Sequence, residues 1–299
     1  MTPHHLISID DLSDEALRHL VGRGLDYRNS VGATSHPLAD QVVGIYFSKT
    51  STRTRTAFTS GALRLGARTI AFGPHDLQTN TGESIEDTAR VLNRMLDVFV
   101  MRTAGDPAEM RMFAQDRRMS VINAMSATEH PTQALTDLTT LKWRFGAIEG
   151  LRILYVGEGN NTAAALALAL SRYESVSLEL RTPPGYGLSE DVLDRVDPKV
   201  VVERHDMRDL PEAADVIYTT RWQTTGTDKP DPNWRDVFAP FQVTGRLWRS
   251  SPEAVFMHDL PAHRGEEVTA EVIDGPHSIV FDQAENKLHS AMAVLEWCR

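Results

Sequence analysis

The sequence predicts an α/β protein built as two doubly wound parallel-sheet domains joined by interdomain helices. Three observations carry that expectation. Short β-branched runs alternate with segments of helical periodicity along the whole chain. Most of the runs are almost continuously apolar, as strands buried on both faces are. Ten such runs are many for one sheet, and 299 residues suffice for two ordinary domains.

The runs lie at 42–47, 69–72, 98–101 and 120–123 in the first half. In the second half they lie at 152–156, 176–180, 199–202, 215–219, 254–258 and 278–281. Between them Ile85, Ala89, Leu92 and Leu96 fall at helical spacing, and Leu138, Leu141 and Phe145 mark a long helix beginning at Pro131. The break is expected within 145–150, giving a first domain 1–147 and a second 148–299. An apolar helix over 284–297 is expected to pack back on the first domain.

Composition narrows the classes. Apolar residues make up 41% and charged residues 24%, which permits a sizeable core and excludes wholesale disorder. A net charge of −10 speaks against nucleic acid as a partner, though a local basic site can still hold a small anion. Cys298 is the single cysteine, so an internal disulfide and a multi-cysteine metal cluster are both excluded. No apolar run approaches the roughly 18 residues needed to cross a bilayer. Met1-Thr2-Pro3-His4-His5 is followed by no apolar stretch of the secretory kind. A cytoplasmic protein with no membrane partner is the expectation.

Ligands on such sheets bind beyond the carboxyl ends of the strands. The run at 42–47 leads into Ser48-Lys49-Thr50-Ser51-Thr52-Arg53-Thr54-Arg55 and then a helix with Phe58, Ala62 and Leu65 on one face. A helix N-terminus with hydroxyls and guanidinium groups makes a phosphate cradle. The glycines of a P-loop are absent, so a nucleoside triphosphate is not expected. A plain Ser/Thr helix cap with two solvated arginines reads equally well from this segment alone.

Four further segments decide between them. Leu77-Gln78-Thr79-Asn80-Thr81-Gly82-Glu83-Ser84-Ile85-Glu86-Asp87-Thr88 is a loop running into a helix, and Met101-Arg102-Thr103 follows a strand. His130-Pro131-Thr132-Gln133 opens a helix. His258-Asp259-Leu260-Pro261-Ala262-His263-Arg264-Gly265-Glu266-Glu267 ends a strand. With Ser51–Arg55, these segments resemble, in order and spacing, the aspartate/ornithine carbamoyltransferase family, and the last resembles its ornithine branch. The resemblance covers nearly the whole chain.

The resemblance implies transfer of a carbamoyl group from carbamoyl phosphate to an amine, with release of phosphate. Negative charge develops on the carbonyl oxygen and the departing phosphate, so preorganised positive donors matter more than a covalent nucleophile. It implies that Ser51, Thr52, Arg53 and Thr54 hold the phosphate and that Arg102 bridges phosphate and carbonyl oxygen. His130, at the positive end of a helix, is expected to stay neutral and donate to the carbonyl oxygen. Gln133 would meet the carbamoyl amide, and Lys287, where ornithine enzymes usually have arginine, would keep the charge without the fork. Thr54, Arg102 and His130 are the expected catalytic residues. A homotrimer with shared sites is implied too, Gln78 reaching in from the neighbouring subunit. No cofactor and no metal are expected.

The acceptor end departs from both familiar branches. Strand 215–219 runs into Thr220-Arg221-Trp222-Gln223-Thr224. Ornithine enzymes have aspartate at the position of Thr220, where it binds the α-ammonium, and cysteine at the position of Asp259. Arg221 and Gln223 instead resemble the Arg-x-Gln of aspartate carbamoyltransferases, which holds a carboxylate. Asp259 is open to two readings: it holds an ammonium, or it pairs with Arg221 or Arg264. Asn161, in the turn Gly157-Glu158-Gly159-Asn160-Asn161, and Leu260 complete the expected acceptor set. A mobile flap is expected over 224–234. The expected acceptor is a small amine bearing a carboxylate, such as a short diamino acid, and not ornithine itself. Two alternatives stand beside this: a paralogue that binds without turnover, and a dinucleotide-dependent dehydrogenase. The latter would use Gly157-Glu158-Gly159 with Glu179, but its third glycine is replaced by Thr162.

Overall fold

The computed structural model describes residues 4–30, 36–116, 118–224 and 228–299. Chain contacts divide the protein into two units, Met1–Thr139 with Glu285–Arg299, and Thr140–Ala284. Each carries one parallel sheet.

In the first unit, β1 (Val42–Phe47), β2 (Arg68–Phe72), β3 (Val98–Arg102) and β4 (Ser120–Met125) are ordered β2-β1-β3-β4. The helices are α1 (Asp14–Asn29), α2 (Arg53–Arg64), α3 (Ile85–Leu92) and α4 (Pro107–Phe113). Sequence dictates their starts. Ser13 and Ser84 cap α1 and α3 through Ala16 and Asp87, and Asp106 caps α4 with Pro107 in its first turn. The core centres on Phe99, which is fully buried against Tyr46, Phe72 and Phe113. Truncating such a side chain to alanine costs about 3–5 kcal/mol.

Helix α5 (Pro131–Phe145) carries the chain into the second unit. There β5 (Arg152–Val156), β6 (Ser177–Arg181), β7 (Val201–Arg204), β8 (Val216–Thr219) and β9 (Val255–His258) are ordered β7-β6-β5-β8-β9, all parallel. Helices α6 (Asn161–Leu170), α7 (Glu190–Leu193), α8 (Trp234–Phe238) and α9 (Ala270–Ile273) flank it. Every residue of the alanine-rich α6 is buried. Helix α10 (Val280–Trp297) ends the chain, and its residues from Glu285 onward group with the first unit.

Nine of the ten expected strands form, seven of them with ends moved by one or two residues. The run at 278–281 does not. Ser278 makes a single bridge to Phe256, and by Gln283, whose N–H bonds back to Ile279, the chain is helical. A short apolar run cannot by itself separate a strand from the first turn of a helix. Residues 225–227 of the expected flap lie outside the described residues. No helix among those described is long and apolar enough to cross a membrane.

Candidate active site

In the first unit the carboxyl ends of β1 and β3 lie side by side, with Phe47 in register with Arg102. Ser48 fastens the two ends by bonding its N–H to Arg102 O (3.0 Å) and its hydroxyl to Thr103 O (2.9 Å). The β3–β4 register shifts between Met101 and Arg102, and the buried Arg102 closes β3 at its carboxyl end. Beyond β1 the chain enters α2. Its N-cap, Thr52, is in αR geometry and makes no side-chain cap. The helix-cap reading of Ser51–Thr54 therefore loses its bond, and first-turn N–H groups are left uncapped by that side chain. Ser51 and Arg53 are half-buried, Thr52 is exposed and Thr54 is buried.

Thr54, His130, Gln133 and Lys287 line one pocket with Phe58, Thr136 and Ser290. His130 stands immediately before α5, as the His-Pro pair predicts. Burial pushes it well below the ordinary histidine range, and the charges of Arg102 and Lys287 push the same way. A neutral imidazole follows at pH 7. Gln133 is held from both ends: its Nε2 donates to Asp137 Oδ1 (2.7 Å), and its Oε1 accepts from Lys287 Nζ. Since a carboxylate only accepts and an ammonium only donates, the amide has one orientation. Asp137 is absent from the residues expected above, although its place one turn after Gln133 on α5 is a readable sign. Gln78 stands apart from this pocket. It is exposed in a 3-10 turn, its Oε1 accepting from Thr81 (2.7 Å).

In the second unit Thr219 pairs in register with His258, so Thr220 and Asp259 are the next residues beyond β8 and β9. Thr220 Oγ1 donates to Asp259 Oδ1 (2.8 Å), and Thr162 Oγ1 donates to Oδ2 (3.0 Å). Thr162, read above only as a missing glycine, is thus part of the carboxylate's setting. His258 Nδ1 lies 3.5 Å from Asp259 but accepts the Leu260 N–H (2.8 Å), so its proton sits on Nε2, facing Glu267. Leu260 has a left-handed backbone, φ 55°. Arg264 pairs with Asp274 (2.6 Å), and among the described residues Arg221 has no ion-pair partner, so neither arginine neutralises Asp259. Arg221 and Gln223 are half-buried on either side of the buried Trp222. Asn160 caps α6 through the N–H groups of Thr162 and Ala163, which leaves Asn161 buried as the helix's first residue.

The chain's relatives match over nearly all of it. Residues 4–143 match the carbamoyl-P binding domain of aspartate/ornithine carbamoyltransferase, and residues 149–298 match its Asp/Orn binding domain. The chain belongs to the aspartate/ornithine carbamoyltransferase family. The ornithine carbamoyltransferase of Nitrosococcus oceani is 38% identical over 99% of this chain and 97% of its own length. That of Symbiobacterium thermophilum is 39% identical over 97% and 96%. The ornithine carbamoyltransferase structure from Pyrococcus furiosus superposes with a TM-score of 0.92 at 36% identity, covering 98% of this chain and 96% of the other. That from Thermus thermophilus gives 0.89 at 32%, covering 100% of both.

The protein is a carbamoyltransferase with a carbamoyl-phosphate domain and an amino-acid acceptor domain. The dehydrogenase alternative falls with that finding. Glu179, its ribose-binding acid, instead bonds Arg181 (2.8 Å).

Proposed function

We propose that the chain carbamoylates the amine of an amino-acid-like acceptor bearing a carboxylate, and that this acceptor is not ornithine. Ser51, Thr52, Arg53 and Thr54 receive the phosphate at the start of α2. Arg102 and Lys287 supply positive charge where it develops in the transition state, and neutral His130 donates to the carbonyl oxygen. No covalent intermediate is needed, because the mixed anhydride already carries its leaving group.

At the acceptor, Arg221 takes the carboxylate and Gln223 a neighbouring polar group, while Asp259 takes an ammonium. Asn161 and Leu260 border the amine. The relatives' names speak for ornithine. What supports the departure is the pair Thr220–Asp259: the carboxylate stands beyond β9, not β8, with both oxygens on threonine hydroxyls and, among the described residues, neither on a lysine or arginine. A carboxylate so placed keeps lone pairs for an ammonium.

A cytoplasmic homotrimer is part of the same reading, with Gln78 serving the neighbouring site. The exposed Leu63, Ile70, Val91 and Met95 in the first unit support coverage by another chain.

The test is phosphate release from carbamoyl phosphate with single amines. Release that is fastest with a carboxylated amine other than ornithine, and none with putrescine, is expected, since a guanidinium repels an unsubstituted diamine. Release that is fastest with ornithine, release with putrescine alone, or release with no amine of a panel of aspartate, ornithine, lysine, 2,3-diaminopropionate and 2,4-diaminobutyrate contradicts the reading.

A further inference from the structure

The second unit holds a buried charge that the chemistry above leaves unused. Lys229, only 3% exposed at its side chain, reaches Glu158 Oε1 at 2.5 Å. Its ammonium lies 4.6 Å from the ring centre of Tyr186, 4.6 Å from Phe238 and 5.3 Å from Trp234. A cation among three aromatic faces with a carboxylate at its tip is strongly held. Trp222 belongs to the same cluster, packing on Trp234 and Phe238.

The geometry ties this box to the acceptor residues. Glu158 lies in the turn between β5 and α6, two residues before the cap Asn160. Asn160 Nδ2 donates to Thr224 Oγ1 (3.1 Å), and Thr224 Oγ1 points to Glu158 Oε2 (3.5 Å). At the other end of the same segment, Thr220 is fixed to Asp259. Arg221 and Gln223 therefore sit between two stitches, with Trp222 sunk into the box between them.

We infer that Lys229 and Glu158 are positioning residues for acceptor binding: their ion pair, seated in the box of Tyr186, Trp234 and Phe238, locks Trp222 and Thr224 and so aims Arg221 and Gln223. The inference rests on the reading that Arg221 and Gln223 bind the acceptor. Neither Lys229 nor Glu158 touches substrate in this account. Removing one partner alone strands a buried charge, so the decisive variant replaces both.

The experiment compares the wild type, K229R and the double variant E158Q/K229M, which keeps the box filled and neutral. Backbone hydrogen exchange over 219–224 needs no amine. The kinetic arm uses carbamoyl phosphate with L-2,4-diaminobutyrate, and with whichever amine of the panel above gives the fastest phosphate release if that is another. In the double variant, exchange over 219–224 rises and the amine KM rises about tenfold, while the carbamoyl phosphate KM is unchanged. K229R stays within roughly threefold of the wild type, because a guanidinium keeps the charge and stacks on aromatic faces. Unchanged exchange in the double variant overturns the inference, and so does faster exchange with an unmoved amine KM. R221M, measured alongside, separates the two layers. If R221M leaves the amine KM unchanged, the carboxylate role of Arg221 has failed, while the double variant still decides the clamp.

Discussion

The Thr220 hydroxyl donates a hydrogen bond to Oδ1 of Asp259 across 2.8 Å, joining the ends of two neighbouring parallel strands. The bond orients a carboxylate that, among the described residues, pairs with no lysine or arginine. The specificity reading hangs on this arrangement, because an unneutralised, partly buried carboxylate at strand ends is suited to receive a cationic ligand.

Asp259→Asn should therefore raise the acceptor KM by about 10- to 100-fold, the range of a charge-assisted hydrogen bond. The carbamoyl phosphate KM should stay within about twofold. Steady-state kinetics with each substrate varied in turn reads this directly, and equal increases in both constants would refute an ammonium role for Asp259.

Arg221→Met should act on the same constant. Replacing the guanidinium by a thioether removes bidentate recognition of a carboxylate, so the acceptor KM should rise at least about tenfold. Arg221→Lys should not restore it, because an ammonium keeps the charge but not the fork. Full restoration by lysine would mean that charge alone is read there.

Carbamoyl phosphate binding should vanish in calorimetry when Arg53 becomes alanine. Thr52 leaves the start of α2 without a side-chain cap, and Arg53 is the helix's first residue, half-buried beside those N–H groups. Undiminished binding would remove the phosphate site from the α2 start.

His130 gives a prediction about pH. Burial and the nearby charges of Arg102 and Lys287 hold it well below the ordinary histidine value of 6.5, so below pH 6.5 the unfolded chain binds a proton at this site that the folded chain does not. Stability from this group is whole above pH 6.5 and is lost as pH falls toward the folded value, by up to about 1.4 kcal/mol per pH unit. The His130→Gln variant should lose that share of the slope in denaturant titrations between pH 7 and 5. Identical slopes in the two proteins would show that His130 takes up its proton while folded.

Much of this arrangement is legible in the sequence. Strands buried on both faces announce themselves as apolar runs, and the chemistry-bearing residues Arg102, Thr220 and Asp259 follow such runs directly. What stays hidden depends on distance along the chain. Nothing near Asp259 says that Arg264 is engaged ten residues later by Asp274, or that Thr162 reaches Asp259 from α6. Lys229 reads locally as part of a polar, proline-rich loop. Its burial depends on Tyr186, Trp234 and Phe238, brought together by tertiary packing. The run at 278–281 fails for the opposite reason: its local pattern suits two structures, and the helical pattern that continues after it decides.

The most direct measurement is a competition. The enzyme is given carbamoyl phosphate with ornithine, aspartate, lysine, 2,3-diaminopropionate and 2,4-diaminobutyrate together at equal concentration, and the ureido products are resolved by mass. A dominant product from a carboxylated amine other than ornithine is the predicted result. A dominant ornithine product would contradict the reading of Thr220 and Asp259 and restore ornithine as the acceptor.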